Sequence, residues 1–161
     1  MNGVMSTDKT VIEARAGMLI RKPVAEVFEA VVDPAITSRF WFSRGSDRLD
    51  AGREVRWDWE SYGASAQVRP RAIERERRIL VEWSAYEAPT EIEWVFTPRQ
   101  EGTFVEVANR GFAGDHDRVC AQAIQSTEGF ALVLAGMKAF LEHGIALNLV
   151  PDRFPPGLSQ H

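Results

Sequence analysis

The sequence predicts an α+β fold in which a curved antiparallel sheet of six strands, with two short helices after its first strand, wraps around one long C-terminal helix. Apolar and polar residues alternate with a period of two through most of residues 53–112, which is typical of strands with one solvated face. Residues 126–144, STEGFALVLAGMKAFLEHG, instead repeat their apolar residues at helical spacing. Since no other predicted element is long enough to cover the sheet, this helix must pack on it.

Length and composition are those of a globular protein. The 161 residues are 45% apolar and 26% charged, within the size range of one domain. We therefore expect a single domain over residues 1–161, with a core at about 10–145. Residues 1–9 are expected to form an N-terminal extension and residues 146–161 a proline-rich extended tail.

Charge and cysteine content exclude several classes of protein. The net charge is −4 and the basic residues are scattered, so the sequence lacks the basic stripe of a nucleic-acid-binding protein. Cys120 is the single cysteine and cannot form an internal disulfide, which favours a cytoplasmic location. The first ten residues do not resemble a signal peptide, and the apolar run that ends at Lys138 is too short for membrane insertion.

The first predicted strand covers residues 10–20, whose alternate residues from Ile12 to Ile20 share one face. The period changes to 3.6 over residues 22–33, where Pro23 fits the start of a short helix. A second short helix is then predicted, with Asp33 as its N-cap, Pro34 as its first residue and Trp41 near its end.

Five more strands are predicted between residues 53 and 112, and turn signals occur at 50–52, 61–65, 88–90 and 98–102. Short connections favour sequential hairpins. The residues expected to point inward are Val55, Trp57 and Trp59; Ala66, Val68 and Ala72; Ile79, Val81 and Trp83; Ile92, Trp94 and Phe96; and Val105, Val107 and Asn109.

The long helix is expected to begin after an N-cap at Asp117 and to end near His143, with Gly144 following it. Two glycines inside this helix, Gly129 and Gly136, suggest close backbone approach or local bending, because each costs about 1 kcal/mol relative to alanine. The apolar stripe expected to face the sheet consists of Ala123, Thr127, Phe130, Val133, Leu134, Met137, Phe140 and Leu141.

Three stretches carry a resemblance to a known family. They are VFEAVVDPAITSRFWF (27–42), GTFVEVANRGF (102–112) and EGFALVLAGMKAFLE (128–142). In this order they resemble the SRPBCC superfamily, the START-like or helix-grip fold, and within it the branch related to activators of heat-shock-protein-90 ATPase. The chain departs from the family pattern at Phe130, where tryptophan is usual, at Met137, where leucine is frequent, and at residues 50–52, which replace a Gly-Gly turn.

The resemblance implies a function that the fold alone does not decide. Members of the superfamily commonly hold an apolar or amphipathic small molecule between sheet and helix. Others act as cyclases, dehydratases or chaperone activators. We therefore expect an apolar or aromatic small-molecule ligand and keep a chaperone-activator-like protein-binding module and a cyclase- or dehydratase-type enzyme as alternatives.

The candidate ligand-binding residues share an expected position on the concave face or on the helix opposite. They are Trp41, Trp57, Trp59, Trp83, Trp94, Phe96, Asn109, Phe130, Leu134 and Met137. The same rings could instead form a bulky core, and Asn109 could simply bind a neighbouring backbone group. Five tryptophans nevertheless bring five indole N–H donors, which suits a site with polar ligand groups or waters.

Catalytic and metal-binding residues are not apparent in the sequence. No histidine falls on the predicted concave face, and the acidic residues concentrate on the solvated face. His116 and Cys120 have the i, i+4 spacing of two metal ligands, but further ligands are missing nearby. We expect no catalytic set, no metal and no cofactor, and the sequence leaves a homodimer open.

Overall fold

The computed structural model describes residues 11–84 and 88–158. A curved antiparallel sheet has the strand order β1-β7-β6-β5-β4-β3-β2. The strands are β1 (Ala14–Ile20), β2 (Arg44–Gly45), β3 (Val55–Trp59), β4 (Ala64–Glu74), β5 (Arg78–Trp83), β6 (Thr90–Arg99) and β7 (Gly102–Arg110). The helices are α1 (Val24–Val32), α2 (Pro34–Thr37), α3 (His116–His143) and α4 (Leu149–Arg153). The predicted helix-grip architecture is confirmed, and the two-residue edge strand β2 is the seventh strand that the sequence did not predict.

The inward face of the sheet follows the predicted alternation. β3, β5 and β6 bury every second residue, as the burial of Trp57, Val81 and Trp94 illustrates. The prediction was wrong at Ala72. A register shift between Pro70 and Ala72 in the pairing with β5 changes the alternation, and Ile73 packs against the core instead.

Helices α1 and α2 bring the segment that follows them against the sheet. α1 buries one face that includes Val27, Phe28 and Val31. The Asp33 side chain then caps α2 by accepting a hydrogen bond from the Ala35 N–H at 3.0 Å. α2 ends at Thr37, so Trp41 lies in the turn beyond it rather than on the helix.

The long helix α3 begins two residues earlier than expected, because Asp115 and not Asp117 is its N-cap. The Asp115 carboxylate accepts a hydrogen bond from the Arg118 N–H at 2.9 Å. At the other end, Gly144 has a φ of 69° and closes the helix as predicted.

A polar clamp fixes the C-terminal end of α3 to the end of β1. The Lys138 ammonium donates to the Leu19 carbonyl at 2.9 Å and to the Glu142 carboxylate at 2.7 Å. The same carboxylate accepts the Arg21 N–H at 2.7 Å. This end of the helix is therefore held tightly to the sheet.

The start of β7 requires its glycine. Gly102 has a φ of 153°, and a Cβ there would lie 2.2 Å from the Ile20 carbonyl oxygen. A side chain at this position would collide with the backbone at the end of β1, which explains the Gly-Thr opening of the strand.

The sequence predicts an extended C-terminal segment, whereas in the structure Leu149–Arg153 forms the short helix α4. Its buried residue is Val150, whereas Leu147 is exposed. The proposed extension at residues 1–9 and the last three residues of the tail lie outside the described residues. Within the described ranges, none of the helices meets the length and hydropathy that a membrane-spanning helix requires.

Candidate functional site

An aromatic cluster centred on Trp41 fills the middle of the concave face. The Trp41 ring centroid lies 4.8 Å from that of Trp57, 5.8 Å from that of Trp94 and 5.5 Å from that of Phe130. Most of these pairs are tilted or edge-to-face, and such contacts contribute about 0.5–1.5 kcal/mol each beyond the burial of area. Sheet and helix therefore close on each other at this level, and the centre of the concave face is core.

Beyond this cluster, towards the N-terminal half of α3, the two layers separate and leave a cavity of about 280 Å³. Its walls come from the ends of β3 and β5, the start of β4, and α3. Its lining residues are Trp41, Trp59, Tyr62, Ala64, Ser65, Trp83, Gln125, Ser126, Gly129, Phe130, Val133, Val150 and Phe154.

A buried polar network joins the wall of this cavity to the sheet. The Ser126 hydroxyl donates to the Asn109 side-chain oxygen at 2.8 Å, and the Asn109 amide donates to the Thr90 hydroxyl at 2.9 Å and to the Glu91 carbonyl at 2.7 Å. The Trp83 indole N–H also donates to the Thr90 hydroxyl, at 2.8 Å. The network fixes Trp83 and Ser126, the two members that line the cavity.

The other tryptophans have unused donors. In the part of the chain that the structure describes, the indole N–H groups of Trp41, Trp57, Trp59 and Trp94 form no hydrogen bond, and two of these residues, Trp41 and Trp59, line the cavity and are each 7% exposed. A buried donor without a partner costs about 1–3 kcal/mol. Because Trp41 and Trp59 line the cavity, a bound ligand that carries an acceptor would lie next to these two rings.

Tyr62 supplies a phenol at the same cavity. Partial burial disfavours the phenolate and raises the pKa of Tyr62 to about 12. At neutral pH the group is therefore an uncharged hydrogen-bonding partner.

Residues 145–158, which we name the C-terminal strap, cross the open side of the cavity. Val150 is buried there, and the Phe154 ring lies 5.7 Å from the Tyr62 ring, centroid to centroid. Arg153 ties the strap to α3 through an ion pair with Glu128 at 2.8 Å. The strap thus forms part of the cavity wall and is held to α3 by this ion pair.

The structure divides the sequence-predicted site residues into two groups. Trp41, Trp59, Trp83 and Phe130 line the cavity. The remaining candidates are buried outside its lining: Trp57, Trp94, Phe96, Asn109, Leu134 and Met137.

Several cavity residues were missed by reasoning from sequence. Ser126 precedes Phe130 by one helical turn, and that spacing could have placed it on the buried stripe. Tyr62 and Val150 carried no such signal, because their positions depend on a turn and on the strap.

A second concavity of about 840 Å³ lies at the opposite end of the fold, between α1, residues 47–53 and the C-terminal end of α3. Charged residues line its rim, and several of them form ion pairs with one another. Arg48 hydrogen-bonds to Glu29 and lowers the pKa of that carboxyl, while Arg53 pairs with Asp47 at 2.6 Å. These ion pairs connect residues 47–53 to one another and to α1.

The convex face of the sheet carries paired charges across neighbouring strands. Glu93 lies between Arg78 at 2.5 Å and Arg110 at 2.9 Å, and Arg69 pairs with Glu54 at 2.9 Å and with Glu82 at 3.1 Å. The solvated face of the sheet thus carries ion pairs between charges of both signs.

The spacing of His116 and Cys120 does not develop into a metal centre in the part of the chain described. The Cys120 sulfur lies 3.6 Å from the His116 ring nitrogen. Within residues 11–84 and 88–158, no three His, Cys, Asp or Glu side chains are grouped so that they could hold a metal ion.

Comparison with known proteins gives one family and many structures of the same fold. Residues 21–142 match the model of the family described as activator of Hsp90 ATPase homolog 1-like protein. No curated protein is significantly similar to the chain.

Three solved structures illustrate the likeness. Protein SSP2350 from Staphylococcus saprophyticus is 28% identical, with a TM-score of 0.72 over 84% of this chain and 95% of that one. DynU16, from the dynemicin biosynthetic locus, is 22% identical with a TM-score of 0.75; the alignment covers 84% of this chain but only 49% of DynU16. The Aha1 dimer from Colwellia psychrerythraea is 14% identical with a TM-score of 0.71, over 83% of this chain and 98% of that one.

Proposed function

The chain belongs to the activator of Hsp90 ATPase homolog 1-like family, and on that premise we propose that it binds a hydrophobic or amphipathic small molecule between the curved sheet and α3. The observation that carries the proposal is the cavity of about 280 Å³, lined mainly by aromatic and aliphatic side chains, beside two unpartnered indole donors. Apolar walls with a few polar groups are typical of small-molecule sites.

The lining favours binding over acid–base catalysis. Among the described residues that form the cavity wall, Tyr62 is the single ionisable group, and burial keeps it protonated. A general base poised near neutral pH would need a pKa shifted towards that range. The chaperone-activator alternative gains no support from the convex face, where the charges already pair within the chain.

The proposal can be tested by blocking the cavity. Gly129 lines it, and a Cβ added there meets no atom within 4 Å. Gly129→Leu should therefore fill the space without a clash at the backbone, while the change from glycine favours the helix by somewhat less than 1 kcal/mol. Gly129→Ala makes the smaller step, so binding should weaken in the order Gly, Ala, Leu.

Ligands would be sought in a library of apolar and amphipathic molecules by tryptophan fluorescence and thermal shift. A specific ligand should raise the melting temperature of the wild type and lose this effect in Gly129→Leu. The matched control is Ile124→Ala, an exposed position of the same helix outside the cavity, which should bind as the wild type does. Failure to find a ligand, or equal binding by Gly129→Leu, would contradict the proposal.

A further inference from the structure

We infer that the cavity selects a small, flat, uncharged aromatic molecule bearing a group, such as a hydroxyl, that both donates and accepts hydrogen bonds. This inference rests on the proposed function, since it names the class of ligand for the same site. Three properties of the lining carry it: its charge, its shape and the direction of its hydrogen bonds.

The lining offers no partner for a ligand charge. Asp, Glu, Lys, Arg and His are missing from the described residues that form the wall. Arg153, on the strap beside it, is already paired with Glu128 at 2.8 Å. A carboxylate or ammonium would lose its hydration without gaining an opposite charge, which is costly in a low-dielectric site.

The size and walls of the cavity favour a thin ligand. Its volume of about 280 Å³ falls just below the usual range of about 300–1,000 Å³ for ligand pockets. Trp59 and Trp83 stand with ring centroids 6.1 Å apart at 64°, and Phe130 lies 6.2 Å from Trp83. One or two fused rings can pack face-on or edge-on against such walls.

Among the polar groups of the lining, Tyr62 and Gln125 can both donate and accept hydrogen bonds, whereas the others act in one direction. The Ser126 hydroxyl already gives its proton to Asn109 and so offers only lone pairs to the cavity. Trp41 and Trp59, which belong to the same lining and whose indole N–H groups form no hydrogen bond among the described residues, can only donate. A phenol-type hydroxyl can satisfy both kinds of partner at once.

The experiment compares three probes with the full chain at neutral pH by isothermal titration calorimetry. 2-Naphthol is flat and neutral, 2-naphthoate is flat and anionic, and decahydro-2-naphthol is neutral but not flat. We expect 2-naphthol to bind at least tenfold more tightly than 2-naphthoate and more tightly than the saturated alcohol. Gly129→Leu should abolish the binding of 2-naphthol.

Ser126→Ala tests the hydrogen bond separately. It should weaken the binding of 2-naphthol about fivefold while changing that of naphthalene much less. Because naphthalene reports any general distortion of the cavity, the ratio of the two affinities isolates the hydroxyl contact.

The outcomes separate this inference from the proposed function. Equal or tighter binding of 2-naphthoate overturns the inference, as does the failure of all three probes. If the broad library still yields a ligand whose binding Gly129→Leu removes, then only the ligand class is wrong. If it yields none, the proposed function fails as well.

Discussion

The two glycines inside α3 have different surroundings, and this predicts opposite effects when each is replaced by alanine. At Gly129 an added Cβ meets nothing within 4 Å, so Gly129→Ala should gain most of the helix-propensity difference of about 1 kcal/mol. At Gly136 the added Cβ would lie 3.2 Å from the Cβ of Phe40 and 3.3 Å from its carbonyl oxygen. Overpacking of this kind costs about 1–3 kcal/mol, so Gly136→Ala should range from neutral to about 2 kcal/mol less stable.

Thermal and urea unfolding followed by circular dichroism would measure the difference. For a chain of this size, about 1 kcal/mol corresponds to about 2–4 °C in melting temperature. Gly129→Ala should therefore melt about 2–4 °C above the wild type, and Gly136→Ala at or below it. If Gly136→Ala were as stabilising as Gly129→Ala, α3 would not approach the Phe40 backbone as closely as the structure shows.

Three further changes test other parts of the fold. Asn109→Leu should lower the free energy of unfolding by about 2–4 kcal/mol in urea titrations, because it leaves the Glu91 carbonyl and the Ser126 hydroxyl without their partner; an effect below 1 kcal/mol would refute the network's role. The hydrogen bond from Arg78 lowers the pKa of Glu93, and burial opposes this shift. The ionised Glu93 carboxylate should therefore stabilise the fold fully at pH values above the unfolded-state pKa of about 4.3, and this stabilisation should be lost as the pH falls through the lower pKa of the folded state. In Glu93→Gln, the free energy of unfolding should accordingly fall less steeply as the pH is lowered, and an unchanged pH dependence would contradict this. Phe130→Asp, at a side chain only 5% exposed, should cost more than about 4 kcal/mol and abolish ligand binding; a stable, well-folded variant would mean that α3 does not pack as described.

Alternation along the strands made the sheet predictable from sequence. A shift of one residue would have turned Trp57 and Trp94 into the solvent, so the pattern determines which face is inside. It failed at Ala72, where a bulge between strands breaks the period without a glycine to mark it. Local periodicity determines faces, whereas a bulge depends on how two strands pair.

The cavity could be predicted only in outline. The sequence indicated an aromatic concave face, but whether rings fill it depends on where the turn after α2 places Trp41. In the structure that ring occupies the centre, which converts Trp57 and Trp94 from candidate ligand contacts into core. Ring positions of this kind result from packing between distant segments, which no local pattern encodes.

Two parts of α3 have different physical roles. Its C-terminal part is fixed by the clamp of Lys138 and Glu142 and by the close contact at Gly136, whereas its middle part, residues 125–133, borders the cavity, where Gly129 leaves space. The match to the family ends at residue 142, so the strap that covers this cavity lies beyond the matched region. Because Val150 and Phe154 of the strap complete the lining, residues outside the shared family region determine part of the cavity's shape. Ligand preference in this protein should therefore respond to changes in the strap while the clamped end of the fold stays intact.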